Sequence, residues 1–167
     1  MASPAMFRRF LYALAGVAVV FAGAYFLMTA GNWPEGGVPV TLYYYNPSLD
    51  QGPGGIACSE QGLVPVERVI PRSKNPVRDS VKLLLDGELT NEERDRGITT
   101  EFPLDEFTLQ SADVHDGVAT LSFLDPQHAS SGGACRVTIL RMQVESTVRQ
   151  FPHVRSIRIL PEEIFQP

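Results

Sequence analysis

Residues 130–154, SSGGACRVTILRMQVESTVRQFPHV, constrain the fold of this chain most. Val137, Leu140, Val144, Val148 and Phe151 recur at intervals of three and four, so they share one side of a helix about four turns long. Arg141, Glu145 and Arg149 fall on another side. Ser130 or Ser131 suits the helix start, and Phe151-Pro152 ends it, because a residue before proline is pushed out of helical dihedrals. A helix with one apolar face needs an apolar surface to cover, and the rest of the chain must supply it.

A second long feature lies at the N-terminus. Residues 10–30, FLYALAGVAVVFAGAYFLMTA, run for about 21 positions without a charge, and a hydrocarbon core needs roughly 20 helical residues. Arg8 and Arg9 precede the run, and positive residues stay on the cytoplasmic side. The expected layout is therefore a cytoplasmic segment at 1–9, a transmembrane anchor at 10–30, and everything later on the far side of the membrane. A cleaved signal peptide is the competing reading, since small residues near Ala24 and Ala30 resemble cleavage sites. The length of the run favours an uncleaved anchor. Residues 31–39, GNWPEGGVP, read as a linker.

The part after the apolar run carries 12 basic and 19 acidic residues, a net of −7, which argues against nucleic-acid partners. Charge is also divided along the chain. Residues 79–116 hold 11 acids against Lys82, Arg94 and Arg96, whereas residues 135–160 hold five arginines against Glu145. Complementary regions of this kind steer and orient association, so Arg141, Arg149 and Arg158 are candidates for an interaction surface; solvated helix faces are the plain alternative.

Cys58 and Cys135 both follow the apolar run. In an oxidising compartment a lone pair reads as one disulfide, although two reduced, buried thiols remain an alternative. Such a bond closes a loop of roughly 78 residues. Two cysteines without a neighbouring histidine give too few ligands for a metal.

Between these features the elements follow in order. Residues 40–45, VTLYYY, form a first strand, and 63–70, LVPVERVI, a second that Pro65 restricts to an edge. Asn75-Pro76 starts a helix with Val77, Val81, Leu84 and Leu85 on one face, and Gly87 ends it. Thr90 and Glu93 have capping-box spacing for a short helix over 91–96, and 98–106 is loop. Residues 107–114 and 118–123 flank Asp116-Gly117, a strong hairpin signal, with irregular alternation at Gln110-Ser111 that points to a bulge. A last strand covers 154–160, with a tail at 161–167. The expected class is α+β, in β-β-α-β-β-α-β order: a two-layer domain over 40–160 with one small mixed sheet covered by two helices.

No catalytic pattern emerges. His115, His128 and His153 lack partners at metal-ligand spacing, and no nucleophile elbow, Walker sequence or dinucleotide fingerprint is present. Asp125, His128 and Ser130 are polar residues of one loop, and Ser131-Gly132-Gly133 is a helix entry before it is an anion site. No catalytic residue, cofactor or metal is assigned.

Several stretches taken together resemble the GerMN domain of sporulation and spore-germination proteins. They are Leu63 to Pro71, Ser80 to Gly87 leading to Glu93 and Gly97, Phe102-Pro103, Val114 to Phe123, Gly132 to Val137, and Thr147 to Val154. The likeness spans about residues 40–160, and it rests on the order and spacing of these pieces rather than on any one of them. It implies an extracytoplasmic α+β domain on a lipidated or membrane-anchored protein of the bacterial envelope, here anchored in the bacterial inner membrane, with a fold similar to ring-building motifs and no family catalytic residues to carry over. The chain departs from the pattern at Glu88, where a proline commonly follows the glycine, and it has an apolar run in place of a lipobox cysteine. The expected role is an interaction or scaffold protein of the cell envelope, in sporulation or germination, that contacts envelope proteins or itself. The alternative is a module that binds peptidoglycan or another wall polymer.

Overall fold

The computed structural model describes residues 36–51 and 57–167. The expected anchor at 10–30, the segment before it and most of the linker lie outside the described residues. Among the described residues no helix is long and apolar enough to cross a membrane.

Among the described residues, five strands and three α-helices follow one another: β1 Gly37–Tyr45, β2 Leu63–Pro71, α1 Pro76–Leu85, α2 Asn91–Asp95, β3 Thr108–His115, β4 Val118–Leu124, α3 Ala134–Arg149 and β5 Ser156–Leu160. The α+β class is as expected. The single sheet is not: β1 and β2 form an antiparallel pair, and β3-β4-β5 form a separate mixed sheet, antiparallel then parallel. One isolated bridge, Tyr45 to Thr99, adds to the β1 edge.

The reason for the division lies on the outer edge of β1. The Thr41 N–H donates to Gln150 Oε1 at 2.7 Å, the Tyr43 N–H to Thr147 Oγ1 at 3.0 Å, and the Tyr45 N–H to the Thr99 carbonyl at 3.2 Å. Gln150 Nε2 returns a bond to the Thr41 carbonyl at 2.7 Å. Pro39, at the next outward position by strand alternation, has no N–H to satisfy. Helix side chains therefore occupy the place where another strand would pair.

β1 starts at Gly37, inside the expected linker, because Val38 pairs with Ile70 and packs against the core. α1 begins as anticipated, with Asn75 Oδ1 accepting from the Arg78 N–H at 3.0 Å and Pro76 in the first turn. Val77, Val81, Leu84 and Leu85 are all buried. Both halves of the Thr90–Glu93 capping box form. The hairpin turn places Asp116 and Gly117 at φ of 49° and 80°, and the register shifts between Leu109 and Ser111, where the bulge was expected.

α3 buries Val137, Leu140, Val144 and Val148, with Phe151 partly buried beyond its end. Its entry differs from expectation. The cap is Gly133 with no side-chain bond, because Ser131 Oγ donates to the His128 carbonyl at 2.7 Å and Ser130 is bound to Asp125. α1 packs against α3, β1 and β3, and α3 against β1 and β5, so the core lies between the two helices and the inner faces of both sheets. The expected tail also contributes. Ile164 and Phe165 are buried, and the Phe165 ring lies 5.6 Å from Phe107 and 6.0 Å from Phe123.

Candidate interaction surface

Cys58 and Cys135 are joined by a disulfide, with Cα atoms 5.3 Å apart. It ties the loop after β1 to the first turn of α3. The same loop is gathered on Asp50, whose carboxylate accepts from Tyr45 Oη, from the N–H of Cys58, from the N–H of Ser59 at 3.0 Å and from Ser59 Oγ at 2.5 Å. Donation by Ser59 and Tyr45 holds the Asp50 carboxyl down at about 2. Burial, then the bond to Asp50, pushes the Tyr45 phenol up to about 12. Sequence reading found the cysteines but not Asp50, whose only local signal is its position in a loop rich in turn formers.

A second ionic centre joins β2 to α2. Arg68 grips Glu93 with two bonds of 2.7 Å, one to each carboxylate oxygen, and Arg68 Nη2 also donates to the Glu88 carbonyl at 3.1 Å. The Tyr44 hydroxyl reaches that carbonyl at 3.4 Å. Glu88, the departure from the family pattern, is thus held through its backbone. The Arg68 bonds are the main cause of the lowered Glu93 pKa, against a smaller opposing effect of burial.

The three candidate arginines do not form one patch. Arg141 and Arg149 stand one turn either side of Glu145, with N–O distances of 2.7 and 2.9 Å to its two oxygens. Their side chains are 46% and 65% exposed, so both remain open to a partner, and ion pairs this exposed add little stability. Arg158 lies on β5 rather than on α3. Arg141 and Arg158 border one depression of about 340 Å³ with Ile157, Ile159, Glu162 and Ile164. Arg149 borders another, of about 400 Å³, with Tyr43, Glu60, Leu63, Ser146 and Gln150. Arg141 and Arg149 of α3 thus each border a different shallow groove.

The polar loop before α3 is structural. Asp125 accepts from the N–H groups of Ala129 and Ser130 at 2.7 and 2.9 Å and from Ser130 Oγ at 2.6 Å. Burial pushes this carboxyl up, but these donors outweigh it and leave it below its usual value. Ser130 Oγ in turn accepts from the Phe165 N–H at 3.5 Å, tying in the C-terminal segment. His115, His128 and His153 are exposed. Among the described residues, no group of three or more His, Cys, Asp or Glu stands where it could hold a metal ion.

The tandem GerMN domains of the sporulation protein GerM from Bacillus subtilis align with 81% of this chain at 20% identity and a TM-score of 0.52. This chain covers 44% of that structure, less than half its length. The first GerMN domain of the same protein aligns with 74% of this chain and 84% of its own length, at 19% identity and a TM-score of 0.48. A putative lipoprotein from Clostridium perfringens aligns with 78% of this chain and 80% of its own, at 15% identity and a TM-score of 0.38. No match is found among curated proteins. Residues 41–163 match the family described as sporulation and spore germination (Germane), so the chain belongs to that family of GerMN domains.

Proposed function

We propose that this protein is a membrane-anchored, extracytoplasmic interaction or scaffold protein of the bacterial envelope, acting by protein–protein contact in sporulation or germination. The observation that carries the reading is the α3 ridge. Arg141 and Arg149 are exposed on a helix that is stapled at its first turn by Cys58–Cys135 and packed on both sheets. A rigid cationic ridge whose two arginines each border an open groove suits a partner with an acidic surface, because a charge on a fixed element loses little freedom on binding. Family membership supports the sporulation or germination setting, and the family is not known for enzymes. The apolar run at 10–30 supports the anchor.

Cross-linking in intact cells tests this directly. The Arg141→Gln/Arg149→Gln variant is expected to melt within a few degrees of the wild type, because the ion pairs it loses are exposed, and to lose its captured envelope partner; an unchanged capture pattern refutes the role of the ridge. A wall-polymer module is the second reading. It is favoured by Tyr43, Glu60, Arg149 and Gln150 sharing one groove, an aromatic and polar set suited to a sugar. Co-sedimentation of the protein with purified sacculi, lost in Tyr43→Ala, distinguishes it.

A further inference from the structure

The three-stranded sheet has two unlike faces. Leu109, Ala112, Ala119, Leu121 and Phe123 point to the core, with Ile157 and Ile159 beside them at the edge. Alternation sends the other residues outward, and the strand register arranges them in rows across β3, β4 and β5. The rows are His115–Val118–Ser156, then Asp113–Thr120–Arg158, then Ser111–Ser122–Leu160. On the outer face Asp113, His115, Val118, Leu124, Ser156 and Arg158 are all exposed.

Two properties of the face point to the same occupant. Asp113 and Arg158 are exposed at opposite edges of one row, separated by Thr120, and neither has an ion-pair partner among the described residues. Val118 and Leu124, at 37% and 51% exposure, are two of the three large apolar side chains exposed among the described residues, and both lie on the central strand β4. We propose that this outer sheet face is a homodimerisation surface whose partner is a second copy of this chain, related by a two-fold axis running along β4.

That axis exchanges β3 and β5 while preserving each row. Asp113 of one copy then faces Arg158 of the other, twice, and Thr120, Val118 and Leu124 each meet their own equivalent on the axis. A two-fold axis perpendicular to the strands instead sets Asp113 against Asp113 and Arg158 against Arg158, so charge selects the first arrangement. Opposed sheets pack about 10 Å apart with mean strand directions within about 30° of each other, and the near-parallel strands that this axis produces fall inside that range. The face is small beside the roughly 800 Å² per partner of a stable interface, so the dimer is a weak contact that tethering to one surface would strengthen.

This inference rests on the reading of the domain as an interaction module, and the experiment separates the two. The full chain carrying Thr120→Cys is expressed in cells and treated with a short bismaleimide; the native cysteines are already paired. A cross-linked dimer is expected, and a Glu92→Cys control on α2 gives none. Adding Arg158→Asp or Asp113→Arg is expected to cut the dimer about tenfold, since each sets like charges face to face. Co-expressing those two variants restores it, because every facing pair is then opposite in sign. Restoration also shows that both variants fold. No Thr120→Cys dimer, a dimer indifferent to charge reversal, or no restoration on mixing overturns the proposal. If the self-contact is absent while an envelope partner is still captured at α3, the dimer alone fails. If neither is captured, the interaction reading fails with it.

Discussion

Replacing both cysteines, Cys58→Ser/Cys135→Ser, tests how the domain is held together. The bond closes a ring across a sequence separation of 77 residues that includes β2, α1, α2, β3 and β4. Cutting it returns to the unfolded chain the loop-closure entropy of that ring, for which the chain-entropy relation gives about 4.5 kcal/mol at 25 °C. For a domain of this size that corresponds to a fall in Tm of roughly 15 °C, taking about 3–4 °C per kcal/mol. Little should change locally, because Asp50 gathers Tyr45, Cys58 and Ser59 without help from the sulfurs. Urea titration followed by circular dichroism compares the double variant, the oxidised wild type and the wild type in reductant. The two conditions without the bond, the variant and the reduced wild type, should coincide, with a slightly larger m value because an unlinked chain exposes more surface on unfolding. A loss below about 1 kcal/mol would refute the entropic argument and assign the loop's order to Asp50 alone.

Gly87→Ala should destabilise by about 2 kcal/mol or more, because φ is +67° and a Cβ there overlaps the Phe102 carbonyl and comes within 2.8 Å of the Pro103 nitrogen; denaturant titration measures it. Ser80→Ala should be neutral or stabilising by up to about 1 kcal/mol in the same titration, since Ser80 Oγ is fully buried and has no hydrogen-bond partner. Asp50 makes stability depend on pH: its folded pKa, about 2, lies below the unfolded value, so its contribution is whole above about pH 4 and lost as pH falls towards 2. Acid melts of Asp50→Asn should lack that part of the loss. Glu93→Gln should cost about 1–3 kcal/mol at pH 7 by weakening the Arg68 fork, and should flatten the acid limb in the same direction, because the Glu93 pKa is also lowered.

Local signals in the sequence carried most of the elements. The Asn75-Pro76 start, the Thr90–Glu93 box, the Asp116-Gly117 turn and the Val137–Val148 stripe each express a rule that acts within a few residues, and each appears where it was expected. What escaped depends on contacts distant in sequence. Thr147 and Gln150 sit beside the apolar stripe of α3 and read as ordinary polar positions, yet they bond to a strand more than 100 residues earlier, and this divides the sheet in two. Ile164 and Phe165 lie in a short segment after a proline, too short for a periodic pattern to show that they enter the core. Among the candidate site residues, the cysteine pair was legible because only two exist. The three arginines were legible as a charge excess, but strand register was needed to separate Arg158 from Arg141 and Arg149 and to bring Asp113 into its row.

The bonds from Thr147 and Gln150 to β1 make α3 a substitute strand, and this limits how the β1–β2 ribbon can extend. Growth is blocked on one side by a helix that no incoming chain can displace without unpacking Leu140 and Val144 from the core. On the other side, the outward positions of β2 include Pro65 and Pro71, which have no N–H to offer, and an exposed Glu67 between them that would meet its own equivalent in a symmetric pairing. The ribbon is thus closed to edge-wise polymerisation by two unrelated devices. Copies of the domain then meet through faces and ridges without their strands fusing into a continuous sheet.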